Sequence, residues 1–136
     1  MHNPPLVRII IADDHEMFRK SLRMYLRYLQ DVVLVGEATN GQEAVNLCRR
    51  DQPDIVIMDL QMPVMDGVSA IRIIHQECPA VKLIAITAFK QDDLFQAALQ
   101  AGAAICLEKN VPIEQLNSAI LSLAPHQSEE TSSTRL

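Results

Sequence analysis

Four ionisable residues in this sequence have the types and placement to do chemistry together. Asp13 and Asp14 are adjacent, Asp59 follows 45 positions after Asp14, and Lys109 another 50 later, with Thr87 in between. Each stands at the end of a short apolar run, where solvated loop residues would rarely choose these types every time. Carboxylates brought within a few ångströms repel, and their pKa values rise unless positive charge is supplied. A hard divalent cation supplies it: Mg²⁺ (or Mn²⁺) takes one or two carboxylates and otherwise keeps its waters. Lys109 adds an ammonium, so three negative charges meet three positive ones. A phosphoryl group entering such a site finds a metal, an ammonium and the Thr87 hydroxyl around its oxygens, which is what phosphoryl transfer needs. A carboxylate among them is a competent nucleophile and gives an aspartyl phosphate.

The elements that must position these groups alternate. Residues 6–12, 32–35, 54–58, 81–86 and 104–107 are short runs, nearly all apolar and rich in β-branched residues. Such continuous runs suit strands buried on both faces of a parallel sheet. Between them lie helical patterns. Met17, Leu22, Tyr25, Leu26 and Leu29 share one face, as do Ala44, Val45, Leu47 and Cys48, and then Val68, Ile71 and Ile74. Leu94, Ala97, Ala98 and Ala101 form the fourth face, stopped by Gly102. Ile113, Leu116, Ile120 and Leu123 form the fifth, after Pro112 at a favourable first-turn position. Asp66 reads as the N-cap of the third helix. Five βα units with right-handed crossovers give an α/β fold, an open, doubly wound five-stranded parallel sheet with helices on both faces. Ligands then bind at the carboxyl ends of the strands, where Asp13, Asp14, Asp59, Thr87 and Lys109 fall.

Composition excludes several classes. The 136 residues suit one domain, and 49% apolar with 21% charged residues is an ordinary globular balance. A net charge of −5 makes this chain by itself a poor binder of DNA. Cys48, Cys78 and Cys106 are spaced by 30 and 28 residues, which fits no zinc pattern, and an odd count closes no disulfide framework. Each reads as a small buried apolar residue in a reducing compartment. The Met58, Met62 and Met65 group reads as packing and loop filler. Four glycines leave no glycine-rich phosphate loop, against a dinucleotide-binding domain. Met1 to Pro5 shows no basic stretch followed by an apolar run, and no apolar run approaches a membrane span. A soluble, cytoplasmic protein without membrane contact is expected.

The acidic pair Asp13-Asp14, the segment from Val56 to Gly67, Thr87-Ala88 and Lys109 together resemble the receiver domain of two-component response regulators. The start Asp13-Asp14-His15, Ala101-Gly102-Ala103 and Lys109-Asn110 are most similar to the NarL/FixJ (LuxR-type) transcription-factor subgroup. The resemblance runs over residues 6–124, implying a receiver domain over 1–124 with the flavodoxin-like (βα)5 fold and strand order 2-1-3-4-5. Residues 125–136 are almost without apolar side chains. They read as a disordered tail or as the start of a linker to an output domain.

The resemblance implies that Asp59 is the phosphoacceptor, served by a sensor histidine kinase. It implies Asp14, Asp59 and the backbone carbonyl of Gln61 as direct Mg²⁺ ligands, with Asp13 acting through water. Thr87 is the switch hydroxyl and Lys109 the ammonium that meets the phosphoryl group. Gln61 and Phe89 tune phosphoryl lifetime, while Pro63 and Gly67 shape the loop, Gly67 by its freedom to adopt an unusual backbone angle. It further implies a surface change on phosphorylation, a homodimer as one consequence, and control of a DNA-binding output domain beyond this chain. The alternative is a stand-alone receiver acting as adaptor or phosphorelay carrier. Either is a signalling domain, not an enzyme beyond its own phosphotransfer and dephosphorylation. Phosphatases with an aspartate nucleophile resemble one another in placing a second acid two residues later, after the first strand. Here Asp59 follows the third run, and Gln61 takes the second place. One departure concerns the switch: the family's usual aromatic position holds Cys106, and Ile105 stands where the subgroup often has Gly. His15 is read as an exposed first-turn residue rather than part of the site's mouth, and His75 and His126 carry no evident chemistry.

Overall fold

The computed structural model describes residues 5–125. Strands and helices alternate strictly: β1 Val7–Ala12, α1 Glu16–Tyr28, β2 Val32–Ala38, α2 Gly41–Asp51, β3 Ile55–Asp59, α3 Gly67–Glu77, β4 Lys82–Thr87, α4 Asp92–Ala101, β5 Ile105–Glu108 and α5 Ile113–Leu123. The strands form one parallel sheet in the order β2-β1-β3-β4-β5. Because neighbouring side chains on a strand point to opposite faces, the apolar runs feed two cores. Ile9, Ile11, Ile55, Ile57, Ile84 and Ile86 pack with Leu22 and Leu26 of α1 and Leu116 and Ile120 of α5. Ile10, Ala12, Val56, Met58, Leu83 and Ala85 pack against α2, α3 and α4 through Val45, Ile71, Ile74 and Ala98. A fully buried isoleucine contributes about 2 kcal/mol of transfer free energy. The three inner strands β1, β3 and β4 therefore carry most of the sheet's stability, whereas edge strand β5 is only half-buried throughout.

The chain leaves β1 toward β2 on one side and returns to place β3 on the other. The strand order reverses between β1 and β3, and a crevice opens there at the carboxyl ends. Strands β3 and β4 run one residue beyond the expected ends, so Asp59 and Thr87 close their strands instead of following them.

Other differences have physical causes. Strand β2 continues through Gly36, Glu37 and Ala38, with a register shift opposite Ile9 and Ile10. Glu37 interrupts the apolar run, but Arg19 and Arg23 of α1 satisfy it at 3.1 and 2.6 Å. On α1, Met17 is exposed, and Phe18 takes its place against the core. Leu29 packs on the same core from just beyond the helix. Pro112 sits at the N-cap of α5, one position before the first turn. Gly102 does stop α4, with φ 131. The tail expected over 125–136 lies outside the described residues, apart from Pro125.

The reason for Gly67 also changes. The unusual backbone angle in the loop from β3 to α3 belongs to Val64 (φ 69). Gly67 is required because a Cβ there would collide with the backbone of Asp59 and Leu60. Its amide donates to the Leu60 carbonyl at 3.1 Å, pressing the start of α3 against the end of β3. Asp66 occupies the N-cap of α3, but its carboxylate accepts the Ser69 hydroxyl at 2.5 Å instead of a backbone amide.

Candidate functional site

The carboxyl ends of β1, β3 and β5 bring Asp13, Asp14, Asp59 and Lys109 together. Asp13 is fully buried and Asp59 nearly so (2% exposed), whereas Asp14 faces solvent. Lys109 extends under the crevice to lie 2.7 Å from Asp13 Oδ2 and 3.3 Å from Asp59 Oδ2. Its ammonium also sits over the Phe18 ring, 4.7 Å from the centroid. Phe18 gives no signal in the sequence beyond helical spacing, and its part in holding Lys109 emerges only from the packing.

The two buried acids differ in their partners. Asp13 Oδ1 accepts the His15 amide at 2.8 Å, which fixes the carboxylate. Asp13 Oδ2 is ion-paired with the Lys109 ammonium at 2.7 Å. Asp59 Oδ1 accepts the Gln61 amide at 3.1 Å. Burial, with the Asp13 charge adding to it, pushes the Asp59 carboxyl up to about 6, against the opposing pull of the Gln61 amide and Lys109.

His15 departs from expectation. Its side chain is exposed, yet Nδ1 turns inward, 3.0 Å from Asp13 Oδ1, 3.5 Å from Asp14 Oδ1 and 3.8 Å from Asp59 Oδ2. It lines the mouth of the site and forms the N-cap of α1 without capping through its side chain. Asp13, Asp14, His15 and Asp59 each offer one ligand atom, all within 4.8 Å of one another. Three carboxylates converging there are hard oxygen donors whose mutual repulsion a divalent cation relieves, so the donor set fits such an ion.

Thr87 is buried at the end of β4, with its hydroxyl donating to the Phe89 carbonyl at 3.3 Å. The following loop is also tied to β5, since the Lys90 amide donates to Glu108 Oε2 at 3.0 Å. The Phe89 ring is 75% exposed and belongs to no core. Cys106 is half-buried, not fully buried like Cys48 and Cys78. Its thiol faces α4, with Sγ 3.8 Å from the Phe95 carbonyl, and burial raises its pKa. All three cysteines are free, and burial pushes the Cys48 thiol up to about 12. Met58, Met62 and Met65 are packing residues. His75 lies under Gly102, and His126 lies outside the described residues.

A network unseen in the sequence holds the acidic turn. Arg19 Nη1 donates to the Asp13 carbonyl at 2.7 Å while its Nε reaches Glu37, which Arg23 grips with two further bonds. Removing Arg19 takes a charged donor from a buried backbone acceptor, at about 2 kcal/mol, whereas removing Arg23 leaves Glu37 still held by Arg19. Arg19→Ala is therefore expected to lower the urea midpoint clearly more than Arg23→Ala. Equal losses would show that the bond to the Asp13 turn contributes nothing.

Residues 9–121, from β1 to α5, match the response regulator receiver domain family. The uncharacterized transcriptional regulatory protein YhcZ of Bacillus subtilis (strain 168) is 40% identical over 110 residues, covering 81% of this chain and 51% of that protein. Response regulator UvrY of Escherichia coli (strain K12) is 36% identical over 118 residues, 87% of this chain and 54% of that protein. The chain spans about half the length of the curated relatives it matches. The signal receiver domain of NarL from Mycobacterium tuberculosis superposes with a TM-score of 0.85 at 31% identity, over 91% of this chain and 100% of that one. Among the described residues, no helix is long and apolar enough to cross a membrane. A crevice at the reversal of strand order, and a match that runs from the first strand through the last helix, make this chain a member of the response regulator receiver domain family.

Proposed function

We propose that Asp59 accepts a phosphoryl group from a sensor histidine kinase in a Mg²⁺-dependent reaction, and that the change this produces controls an output domain. The observation that carries the proposal is a buried carboxylate closing β3 with an ammonium 3.3 Å away and two further acids beside it. Asp14, Asp59 and the Gln61 carbonyl would hold the ion, with Asp13 acting through water. Bound there, the ion neutralises the carboxylates and the charge on the phosphoryl oxygens.

An Asp59 oxygen attacks phosphorus as the bond to the donor's imidazole nitrogen breaks, leaving an acyl phosphate on Asp59 and a free imidazole on the donor. Lys109 is placed to bind a phosphoryl oxygen. Thr87 would exchange its bond to the Phe89 carbonyl for one to the phosphoryl group, releasing the loop before α4. With Cys106 in place of a ring, that loop carries the change, with Phe89 as its mobile side chain. The domain then acts as a cytoplasmic signalling element rather than an enzyme with turnover on an outside substrate. The names of the relatives as transcriptional regulators, and their greater length, favour DNA binding through a further domain.

The test is intact-mass measurement of the chain with a small acyl-phosphate donor. One phosphoryl group should be gained with Mg²⁺ and none with a chelator. Uptake indifferent to the metal, or no uptake, rejects the reading. Amide NMR shifts on phosphorylation should be blunted in Thr87→Ala and Phe89→Ala and kept in Cys106→Ala. A response lost only in Cys106→Ala would make the thiol the moving part.

A further inference from the structure

We propose that Phe18 is a positioning residue for phosphoryl transfer, its ring face holding the Lys109 ammonium where a phosphoryl oxygen on Asp59 meets it. The inference rests on the proposed function, in which Lys109 binds that oxygen. The ammonium lies 4.7 Å from the ring centroid, inside the roughly 6 Å over which a cation–π attraction acts. It is also largely shielded from solvent, the lysine side chain being 13% exposed, and such an attraction strengthens as water is removed. The ring reaches the crevice from α1, one turn before Leu22 on the same face of the helix.

Packing alone does not fix Lys109. A cavity of about 40 Å³ lies beside its stem, walled by Phe18, Leu22, Ile86, Leu107 and Leu116 among others. A flexible lysine stem next to open space can fold into it and withdraw the ammonium from the crevice. A residue that served only to fill the core would close that space, yet Phe18 leaves it open and stays half-buried. Its ring lies against the ammonium instead.

The carboxylates hold the ammonium unevenly, at 2.7 Å from Asp13 Oδ2 and 3.3 Å from Asp59 Oδ2. A divalent ion on the same acids would share their charge and repel the ammonium. The attraction to the ring is not shared with that ion, and it acts on the whole charge without fixing one N–H direction. The ammonium can therefore lean from Asp13 toward an oxygen on Asp59 while keeping its place over Phe18. Held there, it neutralises charge on the phosphoryl group as the bond to the donor breaks.

The test uses the whole chain with Mg²⁺ and a small acyl-phosphate donor, with uptake followed by intact mass. Phe18→Leu keeps most of the bulk but has no ring face, and should take up the phosphoryl group about tenfold more slowly, the factor expected for a lost desolvated cation–π contact. A trifluorinated phenylalanine at position 18 keeps the ring's shape and drains the negative charge from its face, so it should slow uptake as well. That variant decides the matter even if Phe18→Leu fails to fold. In metal-free protein the Lys109 ammonium protons should exchange slowly enough to give an NMR signal in wild type, and both variants should lose it. Uptake at the wild-type rate in the fluorinated variant makes Phe18 a packing residue and overturns the proposal, as does an ammonium signal unchanged in both variants. Failure of the proposed function looks different, with no uptake even in wild type, and the ammonium signal then still reports whether the ring holds Lys109.

Discussion

Asp59→Asn is expected to abolish phosphoryl uptake and, in metal-free buffer, to raise the melting temperature. Asparagine has nearly the shape of aspartate but no nucleophilic carboxylate, so the mass gain should vanish. The stability gain follows from the site's electrostatics. Asp59 is held nearly without solvent beside buried Asp13, which pushes its carboxyl up to about 6 from an ordinary 3.8. A pKa higher in the folded than in the unfolded protein favours the protonated fold. The stability from protonation is therefore fully present below about pH 3.8 and lost as pH rises through 6. Above that range the ionised group costs about 1–2 kcal/mol, after a discount for the solvent that reaches the crevice past Asp14 and His15. Asparagine removes this cost, worth roughly 5 °C in melting temperature. The gain should shrink on adding Mg²⁺ to wild type, because an ion bound only to the folded state contributes about 2.7 kcal/mol at 100 times its dissociation constant. An Asn variant less stable than wild type at pH 7.5 without metal would contradict this account, and a surviving mass gain would remove Asp59 as the acceptor.

The second large effect is steric. Gly67→Ala should cost about 2–4 kcal/mol, because the added Cβ runs into the Asp59 carbonyl and the Leu60 backbone. Neither can yield cheaply. The Leu60 amide is bonded to the Ile86 carbonyl at 2.9 Å and the Leu60 carbonyl to the Gly67 amide, so any shift moves the end of β3 and the Asp59 side chain with it. The denaturant midpoint should fall, and Mg²⁺ affinity should fall with it. Backbone freedom matters instead at Val64, which carries the positive φ, so Val64→Gly should raise the midpoint while Gly67→Ala lowers it. Comparing the two variants by urea unfolding separates steric clearance from conformational freedom.

The architecture was legible in the order of residues because its signals are local. Runs such as residues 6–12 and 81–86 can be satisfied only between two layers of helices, and each ends on a side chain that chemistry can use. Strand order 2-1-3-4-5 came from the family resemblance and agrees with the sheet. Where a rule depends on partners distant in the chain, the local reading stopped short. Glu37 broke the apolar run of β2 because nothing nearby announces Arg19 and Arg23. Met17 and Phe18 were exchanged because helical spacing alone does not say which of two adjacent residues faces the sheet. The need at position 67 looked like freedom of rotation, but it is lack of room beside the β3 terminus, which becomes visible only once α3 docks there. The sequence by itself therefore determined that Asp13, Asp14, Asp59, Thr87 and Lys109 stand at the carboxyl ends of the strands, but not that His15 joins them. Their spacing within the runs decides it. The tertiary structure alone decided how they meet: Asp13 sealed from solvent, Lys109 braced on Phe18, and the His15 nitrogen turned inward. The seal over Asp13 and the brace on Lys109 depend on side chains that are tens of residues apart and packed in one crevice, and no local pattern encodes such distances.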